Sequence, residues 1–331
     1  MTTPIVICDD SSFARKQMAR SLPGGWDVDI SFAENGQEAV AAIKAGKADI
    51  LFLDLNMPVM DGYEVLEAIR KEDLPTMVLV VSGDIQPEAH KRVTSLGALD
   101  FIKKPVTTEK ITEILTQFGI ISSAQPQSEA ELARFDDQSV ALADLVQEIV
   151  NVSMGQAGSQ LASLLNAFIH LPVPKVHLCE YESLNGTLAS RDIHDLTGVS
   201  QGFNGSGIAG EAILLVGDKS IPDMATLMNH QDDGSINKDL EVLMDLSGIL
   251  IGACLNGIAE QLDIEFSYSH PVVLGRKQPL APLLGSHSHG QKVLAVEIDY
   301  SIPEHNVECD LIMVLTEDSL PALTERAGYL K

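Results

Sequence analysis

The sequence predicts an α/β protein of two domains: an N-terminal five-stranded, doubly wound parallel sheet, followed by an α+β domain with a pseudo-twofold internal duplication. Three observations predict this organisation. Residues 4–119 alternate short β-branched runs with amphipathic segments of helical length. Residues 121–138 are polar and mostly small, as in a linker. Beyond them, two long helical patterns each precede a strand that follows a similarly placed proline.

The first domain, residues 1–120, is predicted to hold five strands that alternate with five helices. The strand segments are short and rich in β-branched residues, whereas the helical segments are amphipathic. This alternation favours a parallel sheet with helices on both faces, whose ligands bind at the carboxyl ends of the strands. The strands are Ile5–Cys8, Asp29–Phe32, Ile50–Leu53, Met77–Val81 and Phe101–Lys103, and the helices lie near residues 11–22, 36–45, 61–72, 86–96 and 107–118.

Charged and hydroxyl side chains come directly after these strands. Asp9 and Asp10 follow the first strand, Asp54 the third, Ser82 the fourth and Lys104 the fifth. Converging carboxylates repel one another unless a cation lies among them, and hard oxygen ligands suit Mg²⁺. A carboxylate, a divalent metal, a lysine and a hydroxyl can together stabilise phosphoryl transfer to an aspartate. The alternative, solvated carboxylates on a nucleotide-binding sheet, is disfavoured because no glycine-rich phosphate loop follows the first strand.

This segment resembles the receiver domain of two-component response regulators, which has a flavodoxin-like fold. The motifs CDDS, FLDLNMPVMDG, VVSGD and FIKKP stand in the order and spacing of that family. The resemblance implies Mg²⁺-dependent phosphorylation from a cognate histidine kinase. It assigns the phosphoacceptor to Asp54, the Mg²⁺ ligands to Asp9, Asp10, Asp54 and the backbone carbonyl of Asn56, the phosphoryl contacts to Ser82 and Lys104, and the aromatic switch to Phe101.

The second domain, predicted at residues 138–331 after a linker at 121–137, begins with a strong helical pattern. Asp144, Glu148 and Asn151 are spaced i, i+4 and i+7, which places them on one stripe of a helix. Apolar residues flank the stripe and can bury the helix, so the stripe itself is expected to face solvent. From the spacing alone, an ordinary exposed acidic face remains open.

The second domain contains a weak internal sequence repeat with an offset of 97 residues. At this offset two long helices superpose, and each is followed by a proline and a strand. This pattern predicts a duplicated unit with pseudo-twofold symmetry. The superposed pairs are Asp144 with Glu241, Glu148 with Asp245, Asn151 with Gly248, and Pro174 with Pro271.

Residues 138–325 resemble the CheC/CheX/FliY family of chemotaxis phosphatases. The family signature is Asp or Ser, three residues, Glu, two residues and Asn, and it reads Asp144-LVQ-Glu148-IV-Asn151 here. The resemblance implies that Asn151 orients the attacking water and that Glu148 pairs with the lysine of the bound receiver. It assigns no chemistry to Asp144. Because glycine has no carboxamide, Gly248 predicts one active centre rather than two.

Three functions stay open at this point. In the favoured one, the chain hydrolyses the aspartyl phosphate of a separate, phosphorylated CheY-type regulator, with phosphorylation of Asp54 as its regulatory input. In the second, the C-terminal domain is a non-catalytic adaptor whose binding is controlled by phosphorylation. In the third, the C-terminal domain dephosphorylates its own receiver in cis. The complete set of Asp144, Glu148 and Asn151 favours the two enzymatic functions.

The amino-acid composition limits which cellular location and which classes of partner the protein is expected to have. Lys and Arg number 22 against 47 Asp and Glu, a net charge of −25 that repels nucleic acids and anionic lipid. Four scattered cysteines, with neither a signal-peptide pattern nor an apolar run of about 18 residues, predict a cytoplasmic protein without a membrane span. His287 and His289 lack a nearby third ligand and are not expected to bind metal. A homodimer is left open.

Overall fold

The computed structural model describes residues 2–121, 141–180, 196–229, 238–274 and 292–328. The chain divides into two compact units, residues 1–148 and 149–331, so the boundary falls within one long helix. The predicted linker, apart from Ile121, and the pair His287 and His289 lie outside the described residues. The predicted domain limits stay predictions.

Five strands alternate with five helices in the first unit, and each boundary lies within two residues of the predicted one. The elements are β1 (Thr3–Cys8), α1 (Ser12–Arg20), β2 (Val28–Ala33), α2 (Gly36–Lys44), β3 (Ile50–Leu53), α3 (Gly62–Glu72), β4 (Met77–Ser82), α4 (Pro87–Ser95), β5 (Asp100–Lys103) and α5 (Thr108–Gln117). The strands pair in parallel in the order β2-β1-β3-β4-β5. The doubly wound parallel sheet is therefore confirmed.

Two apolar layers cover this sheet, one on each face. In β1, Ile5 and Ile7 pack with residues of α1 and α5, whereas Val6 and Cys8 pack with residues of α2, α3 and α4. Successive strand residues point to opposite faces, and both faces are buried here. The strands therefore read as continuous apolar runs, and polar side chains are confined to the strand ends and the loops that follow.

Short polar residues fix where most of these helices begin. Each accepts a hydrogen bond from the backbone N–H three residues further on, as N-cap residues do. Asp61 and Glu64 form a reciprocal capping box at α3, whereas α4 begins with Pro87 in its first turn. The capping residues are Ser11 at α1, Asn35 at α2, Asp61 at α3 and Thr107 at α5.

Helix α6 (Leu142–Leu165) begins in the first unit and continues into the second. The elements that follow are β6 (Lys175–Glu180), β7 (Leu196–Gly205), β8 (Ile208–Gly217), α7 (Ile221–Leu227), α8 (Lys238–Leu262), β9 (Ser267–Tyr268), β10 (Val272–Leu274), β11 (Lys292–Ile302), β12 (Val307–Thr316) and α9 (Leu320–Gly328). The strands form one antiparallel sheet in the order β10-β7-β8-β12-β11-β6, with β9 paired to β7. This is the α+β domain that the sequence predicts.

When each strand of this sheet is replaced by its counterpart in the other repeat, the strand order is the same, read from the opposite edge of the sheet. Strands β6, β7 and β8 of the first half correspond to β10, β11 and β12 of the second. The register repeats as well: Lys175 lies opposite Glu297, and Val272, 97 residues after Lys175, lies opposite Ser200, 97 residues before Glu297. The pseudo-twofold duplication is therefore visible in the pairing of the backbone, and the β8–β12 pair joins the two halves.

Helix α8 is a core element of the second unit. It is long and apolar enough to cross a membrane, with a mean hydropathy of 1.8, but 61% of that stretch is buried within the fold. A side chain at Gly257 would place its Cβ 2.9 Å from the Cβ of Ser153, so glycine permits the close approach of α6. Gln261 Nε2 donates to the carbonyl of Ile149 and to the hydroxyl of Ser153, both at 2.8 Å.

Val59, in the loop between β3 and α3, has a left-handed backbone conformation with a φ of 72°, and it is 72% exposed. A β-branched residue is sterically strained there, and its exposure leaves little packing to offset the strain. Val59→Gly is expected to raise the free energy of unfolding of the first unit by about 1 kcal/mol. Urea unfolding followed by the fluorescence of Trp26, the single tryptophan, measures the change. Val28→Gly, in the extended strand β2, is the control and is expected to lower the free energy of unfolding. A urea midpoint for Val59→Gly below that of wild type contradicts the prediction.

Candidate functional site

The polar strand ends of the first unit meet where the strand order reverses. Strands β1 and β3 are neighbours in the sheet although β2 lies between them in the chain, and such a switch point opens a crevice at their carboxyl ends. Asp9 and Asp10 follow β1, Asp54 follows β3 and Lys104 follows β5. Asp9, Asp54 and Lys104 are each at most 5% exposed. The fold thus brings together side chains that lie far apart in the sequence.

The ammonium group of Lys104 lies at the centre of this crevice. Its Nζ is 2.7 Å from Asp9 Oδ2, 3.2 Å from Asp54 Oδ1 and 3.2 Å from Glu148 Oε1. Burial lowers the pKa of Lys104, but the three carboxylates Asp54, Asp9 and Glu148 raise it by more, so the pKa lies well above its ordinary value. Lys104 therefore remains charged.

Asp54 presents one free carboxylate oxygen. Its Oδ2 accepts a hydrogen bond of 2.8 Å from the backbone N–H of Asn56. Its Oδ1 is buried and makes no hydrogen bond, because the nearby Lys104 ammonium lies outside hydrogen-bonding geometry. Burial raises the pKa of Asp54 well above its ordinary value, Lys104 opposes this, and the neighbouring carboxylates Asp9 and Asp10 add to it. This oxygen is therefore left available to a ligand bound in the crevice.

Asp10 lies beside Asp9 in the same crevice. Burial, followed by the charge of Asp9, raises the pKa of Asp10 to about 7. The guanidinium of Arg15 donates to the backbone carbonyls of Asp9 at 2.7 Å and Asp10 at 3.3 Å, and pairs with Glu34 at 2.8 Å. Arg15 thus holds the β1–α1 loop in the conformation that presents both carboxylates.

The donor set of the crevice fits a hard divalent cation such as Mg²⁺. The ion keeps several waters and needs only a few oxygen ligands from the protein, and the unbonded Asp54 Oδ1 is one of them. Among the described residues, no three acidic, histidine or cysteine side chains enclose a metal by themselves. When bound, the ion supplies neutralisation of phosphoryl charge. The residues that would hold it are Asp9, Asp10 and Asp54 through their carboxylates and Asn56 through its carbonyl.

Ser82 and Phe101 lie on the strands next to the crevice. Ser82 is fully buried, and its hydroxyl accepts a hydrogen bond of 3.2 Å from the backbone N–H of Asp84. Phe101 is partly buried, and its ring meets that of His90 edge to face, with 5.6 Å between centroids. The phosphoryl-contacting and switch roles of these two residues stay predictions.

The first two turns of α6 belong to the first unit and carry three polar side chains to the same crevice. Asp144 Oδ2 accepts a hydrogen bond of 2.7 Å from the hydroxyl of Ser12. Gln147 Nε2 donates to Asp10 Oδ2 at 2.9 Å. Glu148 is 5% exposed against Lys104, and burial raises the pKa of Glu148 although the ammonium group opposes this. The crevice and the start of α6 therefore form one polar network.

Asn151 lies one turn beyond Glu148 on the same face of α6. The expectation that it faces solvent is wrong: it is 5% exposed, because residues 148–155 are buried on every side of the helix. Its carboxamide oxygen is buried and makes no hydrogen bond. In the second repeat, Asp245 and Gly248 are exposed, and a Cβ on Gly248 would meet no atom within 4 Å.

Sequence reasoning missed Ser12, Arg15 and Gln147. Ser12 and Gln147 bond to partners 132 and 137 residues away, and no local periodicity encodes such pairs. Arg15 donates to main-chain carbonyls, which every residue has, so no pattern of residue types in the sequence predicts this contact. The position of Gln147 directly before the motif residue Glu148 was the one available hint.

Comparisons with known proteins match the first part of the chain to a family. The family described as "Response regulator receiver domain" matches residues 5–116. A protein-glutamate methylesterase/protein-glutamine glutaminase of Geobacter sulfurreducens is 38% identical over 113 residues, which are 34% of this chain and 30% of that protein. The chain thus spans about a third of the length of the methylesterase relatives it matches.

Two further proteins are similar to one part of the chain each. A two-component response regulator of Oryza sativa subsp. japonica is 35% identical over 120 residues, 35% of this chain and 94% of that protein. The crystal structure of Thermotoga maritima FliY is 19% identical with a TM-score of 0.44, and the match covers 57% of this chain and 97% of FliY.

Asp54→Asn is expected to abolish phosphorylation by a small acyl phosphate, because an amide oxygen is a far weaker nucleophile than a carboxylate. The label on the wild-type chain should be stable in acid and labile in base, and a Mg²⁺ chelator should prevent it. Asp49→Asn changes an exposed carboxylate and should leave labelling unchanged. Undiminished labelling of Asp54→Asn would show that the phosphoacceptor is another residue.

Asp84 is expected to make the first unit less stable as the pH rises. It is 2% exposed, and burial raises its pKa to about 6 although hydrogen bonds from Gln86 oppose the shift. The folded state therefore holds the proton more tightly than the unfolded state, and this stabilisation is lost as the pH rises from near 4 through 6. Asp84→Asn should be more stable than wild type by about 2 kcal/mol at pH 8, with a smaller difference at pH 5. Trp26-detected urea unfolding at both pH values checks this, and a pH-independent difference contradicts it.

Proposed function

We propose, since the chain belongs to the two-component response regulator family through its first domain, that its second domain is an aspartyl-phosphate phosphatase of receiver domains. A receiver domain takes its phosphoryl group from a histidine kinase or a small phosphodonor. In this proposal Asp54 is the phosphoacceptor, Mg²⁺ is the cofactor, and Glu148 and Asn151 act on the aspartyl phosphate.

The observation that carries the proposal is the contact of Glu148 with Lys104. The resemblance to chemotaxis phosphatases implies that this glutamate binds the lysine of a receiver. Glu148 lies 3.2 Å from such a lysine, and that lysine also lies 3.2 Å from the phosphoacceptor. Both side chains are buried, so the pair is poorly screened by solvent. A solvated acidic face has no reason to place a carboxylate there.

In the proposed reaction the second domain needs to supply only a group that positions the attacking water. The receiver already supplies a lysine and a metal site, which stabilise charge on the phosphoryl group. What remains is to hold a water in line with the bond between phosphorus and Asp54. The Asn151 carboxamide can accept from and donate to that water, and its oxygen has no other hydrogen bond.

A separate CheY-type regulator as substrate stays a prediction, as does control of this activity by phosphorylation of Asp54. The non-catalytic adaptor is the weaker alternative. An adaptor needs a docking helix but has no need for a buried carboxamide oxygen without a hydrogen bond, which is costly unless it has a function. The location in the cytoplasm likewise stays a prediction.

Asn151→Ala is expected to reduce phosphate release from a separate, phosphorylated chemotaxis receiver by about 100-fold, since one positioned polar group contributes about that much. Asp245→Ala, in the second repeat, should stay within about twofold of wild type because Gly248 stands at the carboxamide position there. Turnover by the two variants and wild type is the measurement. Full activity of Asn151→Ala would remove that residue from the mechanism, and an equal loss in Asp245→Ala would show that the second repeat takes part.

A further inference from the structure

Three side chains at the start of α6 bind groups that surround the phosphoacceptor of the same chain. Asp144 binds the hydroxyl of Ser12, Gln147 binds the carboxylate of Asp10, and Glu148 binds the ammonium of Lys104, at distances from 2.7 to 3.2 Å. All of these residues belong to the first unit. The phosphatase helix of the chain thus begins on the chain's own phosphorylation site.

The spacing of these contacts indicates recognition rather than chance packing. Positions 144, 147 and 148 are related by i, i+3 and i+4, and therefore lie on one face of the helix. Their receiver partners come from two separate places: Asp10 and Ser12 lie between β1 and the start of α1, and Lys104 directly follows β5. One helix face thus contacts both of these segments of the crevice.

The chemistry of each pair is complementary. A carboxylate of α6 accepts a hydrogen bond from a receiver hydroxyl, an amide of α6 donates to a receiver carboxylate, and a second carboxylate of α6 pairs with a receiver ammonium. The motif that accounts for Glu148 says nothing about Gln147, and the pairing of Asp144 with Ser12 gives Asp144 a role. These two contacts are the ones whose function the motif does not give.

We infer that the phosphorylated Asp54 of the same chain is the substrate of this helix, and that Asp144 and Gln147 are positioning residues that align the helix on it. The inference rests on the proposed function and names its substrate. In the reaction, the oxygen of a water bonds to phosphorus, the bond between phosphorus and the Asp54 oxygen breaks, and the aspartate leaves as a carboxylate. The water's proton leaves with inorganic phosphate or passes to solvent.

The first test follows loss of phosphate from the full-length chain after labelling with a small acyl phosphate and removal of the donor. Wild type should lose the label with a first-order rate constant that does not change with protein concentration. Asn151→Ala should lose it about 100-fold more slowly. Phosphorylated Asn151→Ala is then mixed with unlabelled Asp54→Asn, which has an intact Asn151 but no phosphoacceptor. A stand-alone receiver has an uncovered phosphorylation site, whereas the start of α6 contacts that site in each Asn151→Ala chain, so this addition should not speed the loss.

The second test addresses the positioning residues. Asp144→Ala and Gln147→Ala should each slow the loss of label about 2- to 10-fold, the range of a single hydrogen bond. Asp144→Asn keeps an oxygen that can accept from Ser12 and should restore most of the rate, which a merely structural defect would not allow. Ser12→Ala combined with Asp144→Ala should be no slower than either alone. Glu241→Ala, the matched position in the second repeat, should leave the rate unchanged.

The outcomes separate the inference from the proposed function. If wild type and Asn151→Ala lose their label at the same rate, but a separate phosphorylated receiver is hydrolysed by wild type alone, the substrate lies in trans and the inference is overturned. Acceleration by added Asp54→Asn overturns it in the same way. If Asn151→Ala matches wild type on both substrates, the proposed function fails as well.

Discussion

One ammonium group, that of Lys104, holds together carboxylates from three separate segments of the chain. None of the four groups is stable alone in such a buried place, because a buried charge without a partner is costly. Each therefore depends on the others, and their positions depend on the strand ends that carry them. Asp10 lies alongside, and burial together with the charge of Asp9 raises its pKa to about 7. Asp54 is held 3.2 Å from a fixed positive charge.

Local patterns were enough to predict the first domain. The alternation of apolar strands and amphipathic helices specifies a parallel sheet, and a parallel sheet places Asp9, Asp54 and Lys104 at a common edge. The duplication was likewise detectable because the 97-residue offset survives in both sequence and register. The contacts of Ser12 and Gln147 were not, since they join segments whose relative position no periodicity encodes. The burial of Asn151 was mispredicted because a helical stripe shows which residues share a face but not what covers that face.

The two repeats of the second domain have the same arrangement of strands but differ in the polar residues of their long helices. Helix α6 has a glutamate and a buried asparagine where α8 has Asp245 and the exposed Gly248. Both helices supply apolar residues to the core, so selection for stability acts on both. Selection for the proposed phosphatase activity need act on α6 alone. The duplicated helix is therefore free to change its polar face while its apolar face is retained.

The symmetric sheet also constrains how the chain can be made. Strand β8, which carries the apolar run Ile213 to Val216, has one neighbour in β7 and the other in β12, which begins at Val307. During synthesis, β8 must leave its second edge unpaired until the ribosome has delivered the whole of the second repeat. An apolar strand with an open edge recruits other strands. The pairing that joins the two repeats thus leaves an open apolar edge on the growing chain for as long as β12 is missing.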